Sequence, residues 1–351
     1  MIIYSKSSNI HDAAIGRLET PIKMIIEHES DLLSRKDNVC SALFNVEKSN
    51  RFGETIVTAN DFDVFGAVGE GEGAALDTIK ETSKKFIEHV QFMKEFVISA
   101  EMIEDAQNGI ASEARRRIEN FTRAYYKTIN KLCTAALANG TQTSVKFAGA
   151  TIDLTTADKR PLFSRLHSWG ADGKSGTQSN YFWGDIFSHG TDTRVASTEV
   201  FEEALTALSF KLRNMKDESG EPIGYTADTI VLPGNRPVAE SIVKKVCGTY
   251  GTLGSSNNDI NLNFGNWNII VLPTWYADRD TCLIMSSEAN KSLSGNMFFN
   301  RVPLTVNNWV DNHTGNYVWC GRCRFGVGFG SYKHIICAVD SADAITNSEQ
   351  L

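Results

Sequence analysis

The pentapeptide Trp319-Cys320-Gly321-Arg322-Cys323 carries the sharpest chemical signal in the chain. A C-x-x-C pair exchanges disulfides when its first thiol stands at a helix N-terminus, where the local field lowers its pKa. Here the pair lies inside a strand-like run, Asn316–Phe325, with no helical period after it and no βαβ unit before it. Successive side chains on a strand alternate between faces, so thiols three positions apart point in opposite directions. The expectation is a structural pair, with a thiol–disulfide oxidoreductase as the enzymatic alternative. Zinc would need a second ligand pair at matching spacing, and His313, His334 and Cys337 do not supply one.

Other patterns are weaker. Gly173-Lys174-Ser175 resembles the end of a P-loop, but the glycine required five positions before Gly173 is Ser168. In Gly69-Glu70-Gly71-Glu72-Gly73 two carboxylates would repel a phosphate, so a hairpin tip is the better reading. The seven histidines are dispersed, and His167, close to Leu162-Phe163-Ser164, reads as a packing or hydrogen-bonding residue. There is no nucleophile elbow and no paired-carboxylate signature. The chain is expected to be no enzyme and to use no cofactor and no metal.

The totals bound the rest. The 351 residues are 42% hydrophobic and 22% charged, ordinary for a globular chain with room for more than one core. The formal net charge is −7, which argues against tight wrapping of nucleic acid, because phosphate-neutralising proteins are usually basic. No signal-peptide core opens the chain, and no window approaches the ~18 apolar residues of a membrane span. An odd number of scattered cysteines, seven in all, implies reduced thiols.

The elements that must position these residues centre on one stretch, Ser99 to Gly140. Apolar residues at Ile103, Ala106, Ile110, Ala114, Ile118, Phe121, Tyr125, Ile129, Leu132 and Ala136 follow a helical period. Arg115, Arg116, Glu119, Asn120, Arg123, Lys127 and Lys131 occupy the other face. Ser99 is the expected N-cap and Asn139-Gly140 the stop, with Gly109 as a possible interruption. Residues 1–50 read as an arm with helical turns around Pro21–Leu33. Residues 51–98 read as a long hairpin with limbs Glu54–Phe65 and Phe86–Ile98. A hairpin of that kind is marginal alone and is expected to finish its packing on a neighbour. Beyond the rod, a helix from Thr198, its expected N-cap, a strand Thr229–Leu232, a helix Pro237–Val246, a loop Gly248–Asn263 and a strand Trp267–Leu272 describe an α/β domain. Three further strands, Val302–Val306, Tyr317–Phe325 and Tyr332–Val339, are expected to close a sheet against the rod.

The order of these parts is more telling than any motif. Phe96-Val97-Ile98-Ser99-Ala100-Glu101-Met102-Ile103-Glu104-Asp105, Ala138-Asn139-Gly140, Leu162-Phe163-Ser164 with His167, and Gly176-Thr177-Gln178-Ser179-Asn180 carry a likeness. Thr229-Ile230-Val231-Leu232-Pro233, Trp267–Pro273 and Arg324-Phe325-Gly326-Val327-Gly328-Phe329 extend it. Over about residues 40–340 the chain resembles the major capsid protein of tailed bacteriophages, and within it the Mu-like major head subunits.

That resemblance implies an α+β fold of the Hong-Kong type: an N-terminal arm (1–50), an extended hairpin loop (51–98), a peripheral domain with a spine helix (99–149 and 298–345) and an α/β axial domain (150–297). It implies that Arg51, Glu54, Asp63, Phe65, Glu70, Glu72, Phe86 and Phe92 contact the next subunit. Tyr250, Thr252, Ser255, Asn257 and Asn258 would meet at the centre of each capsomer. Pentamers and hexamers would form an icosahedral shell around double-stranded DNA held without sequence-specific contact. Portal, scaffolding and decoration proteins would be partners, and no membrane would be. Assembly would take place in the host cytoplasm, with a separately supplied scaffold and without N-terminal proteolysis. No residue is assigned to a covalent cross-link. An encapsulin-like nanocompartment shell is the alternative within the same fold.

Overall fold

The computed structural model describes residues 3–4, 23–28, 39–59, 67–68, 70–71, 73, 81–99, 101–102, 112–170, 176–189, 195–248, 261 and 263–341. Its longest helix is Ser112–Ala138, 27 residues or about 40 Å at ~1.5 Å per residue. The expected cap at Ser99 is in place, since its Oγ accepts from the Met102 N–H at 3.3 Å, and residues 101–102 are helical. The stretch between, including Gly109, lies outside the described residues. At the far end Asn139 turns both its main-chain N–H and its Nδ2 onto the Ala135 carbonyl, at 3.1 and 2.8 Å. Gly140 follows, and its reason is contact: a Cβ there would lie 2.6 Å from the Phe163 ring.

The chain forms two compact units. The first comprises Met1–Glu54, Ile87–Cys133 and Phe298–Val327. Its sheet runs in the order Ile3–Tyr4, Asn296–Val310, Tyr317–Phe329, Val90–Ile98, with Asn45–Lys48 also paired to Asn296–Val310. Val90–Ile98 pairs antiparallel with Tyr317–Phe329, setting Phe96 opposite Trp319 and Phe92 opposite Cys323. Ile118 and Phe121 of the long helix pack into this sheet with Ile98, Leu304, Val306 and Trp319, and Ile26 joins them. Phe96 lies 4.8 Å from the Phe121 ring and stacks on Trp319 at 6.2 Å. Close packing here depends on Gly321, where a Cβ would stand 2.3 Å from the tip of Phe121.

The second unit comprises Thr55–Phe86, Thr134–Met297 and Gly328–Leu351. Its five-stranded sheet has the order Tyr181–Gly184, Ile335–Asp340, Thr281–Met285, Thr229–Pro233, Asn268–Leu272. The last two strands are parallel. Parallel neighbours need a crossover, and the helix Pro237–Gly248 lies between them in sequence. That helix and Thr198–Arg213 bury Phe201, Leu205, Leu208, Ile242 and Val243 against Ile230, Leu232, Ile284 and Ile336. Thr198 begins its helix, but the cap is Ser197, whose side chain accepts from the Glu199 N–H. The strand pair Ser144–Phe147 and Ala150–Asp153 turns through Ala148 (φ 47°) and Gly149 (φ 87°), the two positive φ values of a tight type I′ hairpin.

Two expectations change. Ile335–Asp340 does not join the sheet beside the long helix; it is a central strand of the second unit, paired on both edges. The limb read as Phe86–Ile98 is two strands. Glu81–Glu88 pairs with Gly53–Ala59 in a two-stranded hairpin, while Val90–Ile98 belongs to the first unit's sheet. Lys85 and Ile87 are buried on the first of these and His89 just after it, whereas Phe92, Phe96 and Ile98 turn inward on the second. The inward parity therefore changes from odd to even between His89 and Val90.

Gly321→Ala should lower stability by about 1–3 kcal/mol, the usual cost of overpacking, read as a fall in Tm. Combining it with Phe121→Leu, which shortens the opposing ring, should recover part of the loss.

Candidate subunit-contact surfaces

The base of the hairpin is built from short-range hydrogen bonds. Ser49 Oγ donates to Glu54 Oε1 at 2.6 Å, and the Arg51 N–H donates back to Ser49 Oγ at 3.2 Å. The Arg51 carbonyl faces His89 Nδ1 at 3.0 Å, so Nδ1 carries the proton. Nε2 is buried without a partner among the described residues. Burial holds the His89 pKa below the ordinary imidazole value; the Arg51 carbonyl and Glu54 oppose this, and Arg301 and Arg324 add to it. Gly326 leaves room for the ring, because a Cβ there would lie 2.8 Å from both His89 Cδ2 and the Glu88 carbonyl oxygen.

Lys85, next along the limb, is 95% buried by its side chain's 5% exposure and donates to Asp153 Oδ2 at 2.5 Å and Thr155 Oγ1 at 2.8 Å. Burial lowers the Lys85 pKa against the pull of Asp153. For Asp153, burial is outweighed by the bonds from Lys85 and Thr155, and its carboxyl sits below the usual range. A lone lysine in an alternating strand gives no sign that a carboxylate 68 positions away will meet it.

The residues expected to meet a neighbour fall into three groups. Arg51, Glu54 and Phe86 lie in the hairpin or at its base, and Glu70 is an exposed turn residue; Phe86 is 51% exposed, with Phe52 at 57% and Val57 at 42%. Phe92 lies in the first unit's sheet, stacked on Phe325 at 4.8 Å, and not in the two-stranded hairpin. Asp63, Phe65 and Glu72 lie outside the described residues, as do Tyr250, Thr252, Ser255, Asn257 and Asn258 of the Gly248–Asn263 loop. The Gly173-Lys174-Ser175 stretch is outside them too.

The residues that first suggested chemistry are structural. Cys320 and Cys323 occupy strand positions opposite Glu95 and Phe92. Three residues of strand separate their Cα atoms by about 10 Å, beyond the ~7 Å that a disulfide tolerates. Burial pushes the Cys323 thiol up to about 12, and burial with Glu95 raises Cys320. A disulfide-exchange nucleophile needs the opposite shift. His167 is fully buried, with Nδ1 2.7 Å from Asp158 Oδ2, Nε2 3.2 Å from the Leu162 carbonyl and Tyr332 stacked at 3.7 Å. Both ring nitrogens are engaged by oxygen atoms at a fully buried position, so the ring is not turned toward an exposed hydroxyl. Burial opposes ionisation of Asp158, but its bonds to His167, Thr156 and the Arg160 N–H hold it below the usual carboxylate range. Among the described residues no group of three or more His, Cys, Asp or Glu could hold a metal ion, and no helix is long and apolar enough to cross a membrane.

A family model described as "Phage capsid protein" matches residues 83–338. The chain belongs to the phage capsid protein family. The capsid of Ralstonia phage GP4 is similar at a TM-score of 0.52 and 10% identity, covering 87% of this chain and 89% of that one. Mycobacterium phage Patience gives 0.49 at 11% identity over 99% and 94%. The virus-like particle from Pyrococcus furiosus gives 0.47 at 6% over 91% and 98%. No curated protein matches. The first of these structures bears on the fold, which is the Hong-Kong-type phage capsid fold expected from the order of parts. As a major capsid protein, the chain is a shell component of the virion and associates with copies of itself.

Two outcomes follow for the capsid protein in solution. All seven cysteines are buried and outside any disulfide, so a thiol reagent at pH 8 should react far more slowly with the folded chain than with the chain in denaturant. His334 is fully buried, its Nε2 donating to Asn296 Oδ1 at 2.9 Å, and burial lowers its pKa to about 3. The unfolded chain takes up a proton there below about pH 6.5, while the folded chain does not. Stability is therefore full above that pH and declines as pH falls toward 3. His334→Gln should flatten the fall in Tm between pH 7.5 and 5.0, a range in which the depressed carboxylates stay ionised.

Proposed function

We propose that the chain is a non-enzymatic subunit forming pentamers and hexamers that close into an icosahedral shell around double-stranded DNA. The observation that carries this reading is the hairpin Gly53–Ala59 with Glu81–Glu88. It is a two-stranded sheet that exposes Phe86, Val57 and the adjoining Phe52. Such a ribbon is marginal in water by itself, and exposed aromatic surface is removed when a neighbour covers it. Lys85 with Asp153 and His89 with Arg51 fasten its base, so the projection is held at one end and left for a neighbour at the other.

The first unit then serves as the peripheral domain and the second as the axial domain. The 248–263 loop, with Tyr250, Thr252, Ser255, Asn257 and Asn258, converges at the capsomer axis. Arg51, Glu54, Asp63, Phe65, Glu70, Glu72 and Phe86 form the hairpin contact. A ring repeats each contact at every copy, so interfaces that are weak singly sum to a closed particle. Portal, scaffolding and decoration proteins complete the assembly, which takes place in the host cytoplasm.

Deleting residues 63–80 should leave a subunit with unchanged circular dichroism and no closed shells by electron microscopy. Normal particles from that deletion would refute the hairpin's role. Particles of the full chain purified from infected or expressing cells should hold long DNA; a protein cargo in its place would identify a nanocompartment.

A further inference from the structure

Charge is distributed unevenly over this acidic chain. Helix Ser112–Ala138 carries six arginines and lysines against two glutamates, in a protein whose formal net charge is −7. The surplus is concentrated on one line. At about 100° per residue, Arg116, Asn120, Arg123, Lys127 and Lys131 fall within about 40° of the direction opposite Ile118. Ile118, Phe121, Ile129 and Leu132 are buried, and all five residues of the line are exposed. From Arg116 to Lys131 the line extends about 22 Å at ~1.5 Å per residue. Glu119 stands beside it, engaging Arg115 at 3.1 Å and reaching Arg123 at 4.0 Å; exposed pairs of this kind bind weakly and exchange readily for another anion.

We infer that this stripe is a sequence-independent contact for the backbone of double-stranded DNA, and that the helix therefore presents it to the lumen of the shell. The inference rests on the shell reading above. A duplex carries one phosphate per ~1.7 Å of axis, so a straight row of four cations about 22 Å long always has phosphates in reach. Arginine and lysine on flexible stems, with one asparagine and no aromatic among them, suit phosphate oxygens and not base edges. The remaining surface, net acidic, repels DNA, so the stripe sets where a packed duplex touches the wall without holding it tightly.

The test uses full-length, unassembled subunits and a fluorescent 20-base-pair duplex, in two unrelated sequences, with anisotropy read from 50 to 200 mM salt. The variant R116Q/R123Q/K127Q/K131Q keeps helix-favouring side chains, and circular dichroism and Tm report that it is folded. The wild type should bind both duplexes alike. In the variant the slope of log K against log salt should be shallower by about 3–4, about one per lost phosphate contact. A wild type that binds no duplex at 50 mM salt, or a slope unchanged in the variant, overturns the inference. So does a wild type that retains polyglutamate in preference to duplex, which would make an acidic protein the occupant. Electron microscopy separates the two readings. If the wild type forms no shells, the shell reading fails while duplex binding is still read. If the wild type forms shells and the variant does not, the stripe is a subunit contact and the inference fails alone.

Discussion

The structure depends on one run of chain serving two sheets whose buried sides have opposite parity. From Ser83 to Glu88 the inward residues are odd-numbered, and from Val90 to Ile98 they are even-numbered. On a continuous strand that is impossible, because a one-residue slip reverses every side chain. The chain resolves the conflict at His89, which leaves the ladder, fixes its ring on the Arg51 carbonyl and uses the space over Gly326. Once the break is made there, Phe96 is committed to the aromatic packing around Phe121 and Trp319 and Phe92 to the Phe325 ring, and the hairpin is left with a single partner strand.

What was legible in the sequence was local. The long helix announces itself by its period and its Asn139 exit, both set by residues within a turn of one another. Strand Thr229–Pro233, buried along its whole length, shows as an apolar run closed by Pro233-Gly234. What was not legible depended on distant partners. Nothing in Ile335–Asp340 says which of two sheets it will enter, since both offer an apolar slot; the decision lies in Thr281–Met285 and Tyr181–Gly184, which flank it. The parity change at His89 hid behind an alternation that looks regular when the break is ignored. The cap at Ser197 was missed by one residue because Thr198 is an equally good capping type.

The residues that looked chemical illustrate how the same side chains serve packing. Gly321, the small residue between the two cysteines, fits a redox loop by its type, yet its purpose is to admit the Phe121 ring against the strand. His167 and Asp158 form the pair expected of a general base and its orienting acid, but the third partner is a main-chain carbonyl, which makes the group a clamp. Lys85 is buried while the Asp153 side chain is 60% exposed, so the desolvation cost falls on the ammonium, which Asp153 and Thr155 satisfy.

The burial of every thiol has a consequence that grows with copy number. In a solitary protein one reactive cysteine is a single liability, but in a shell it recurs at every lattice point, each beside its own symmetry mates. Any accessible sulfur would let adjacent subunits weld together once the particle met oxygen outside a reducing cell. Such welds would form at random and freeze whatever small misalignments were present. By keeping all seven out of solvent, this chain closes that route to random welding between copies.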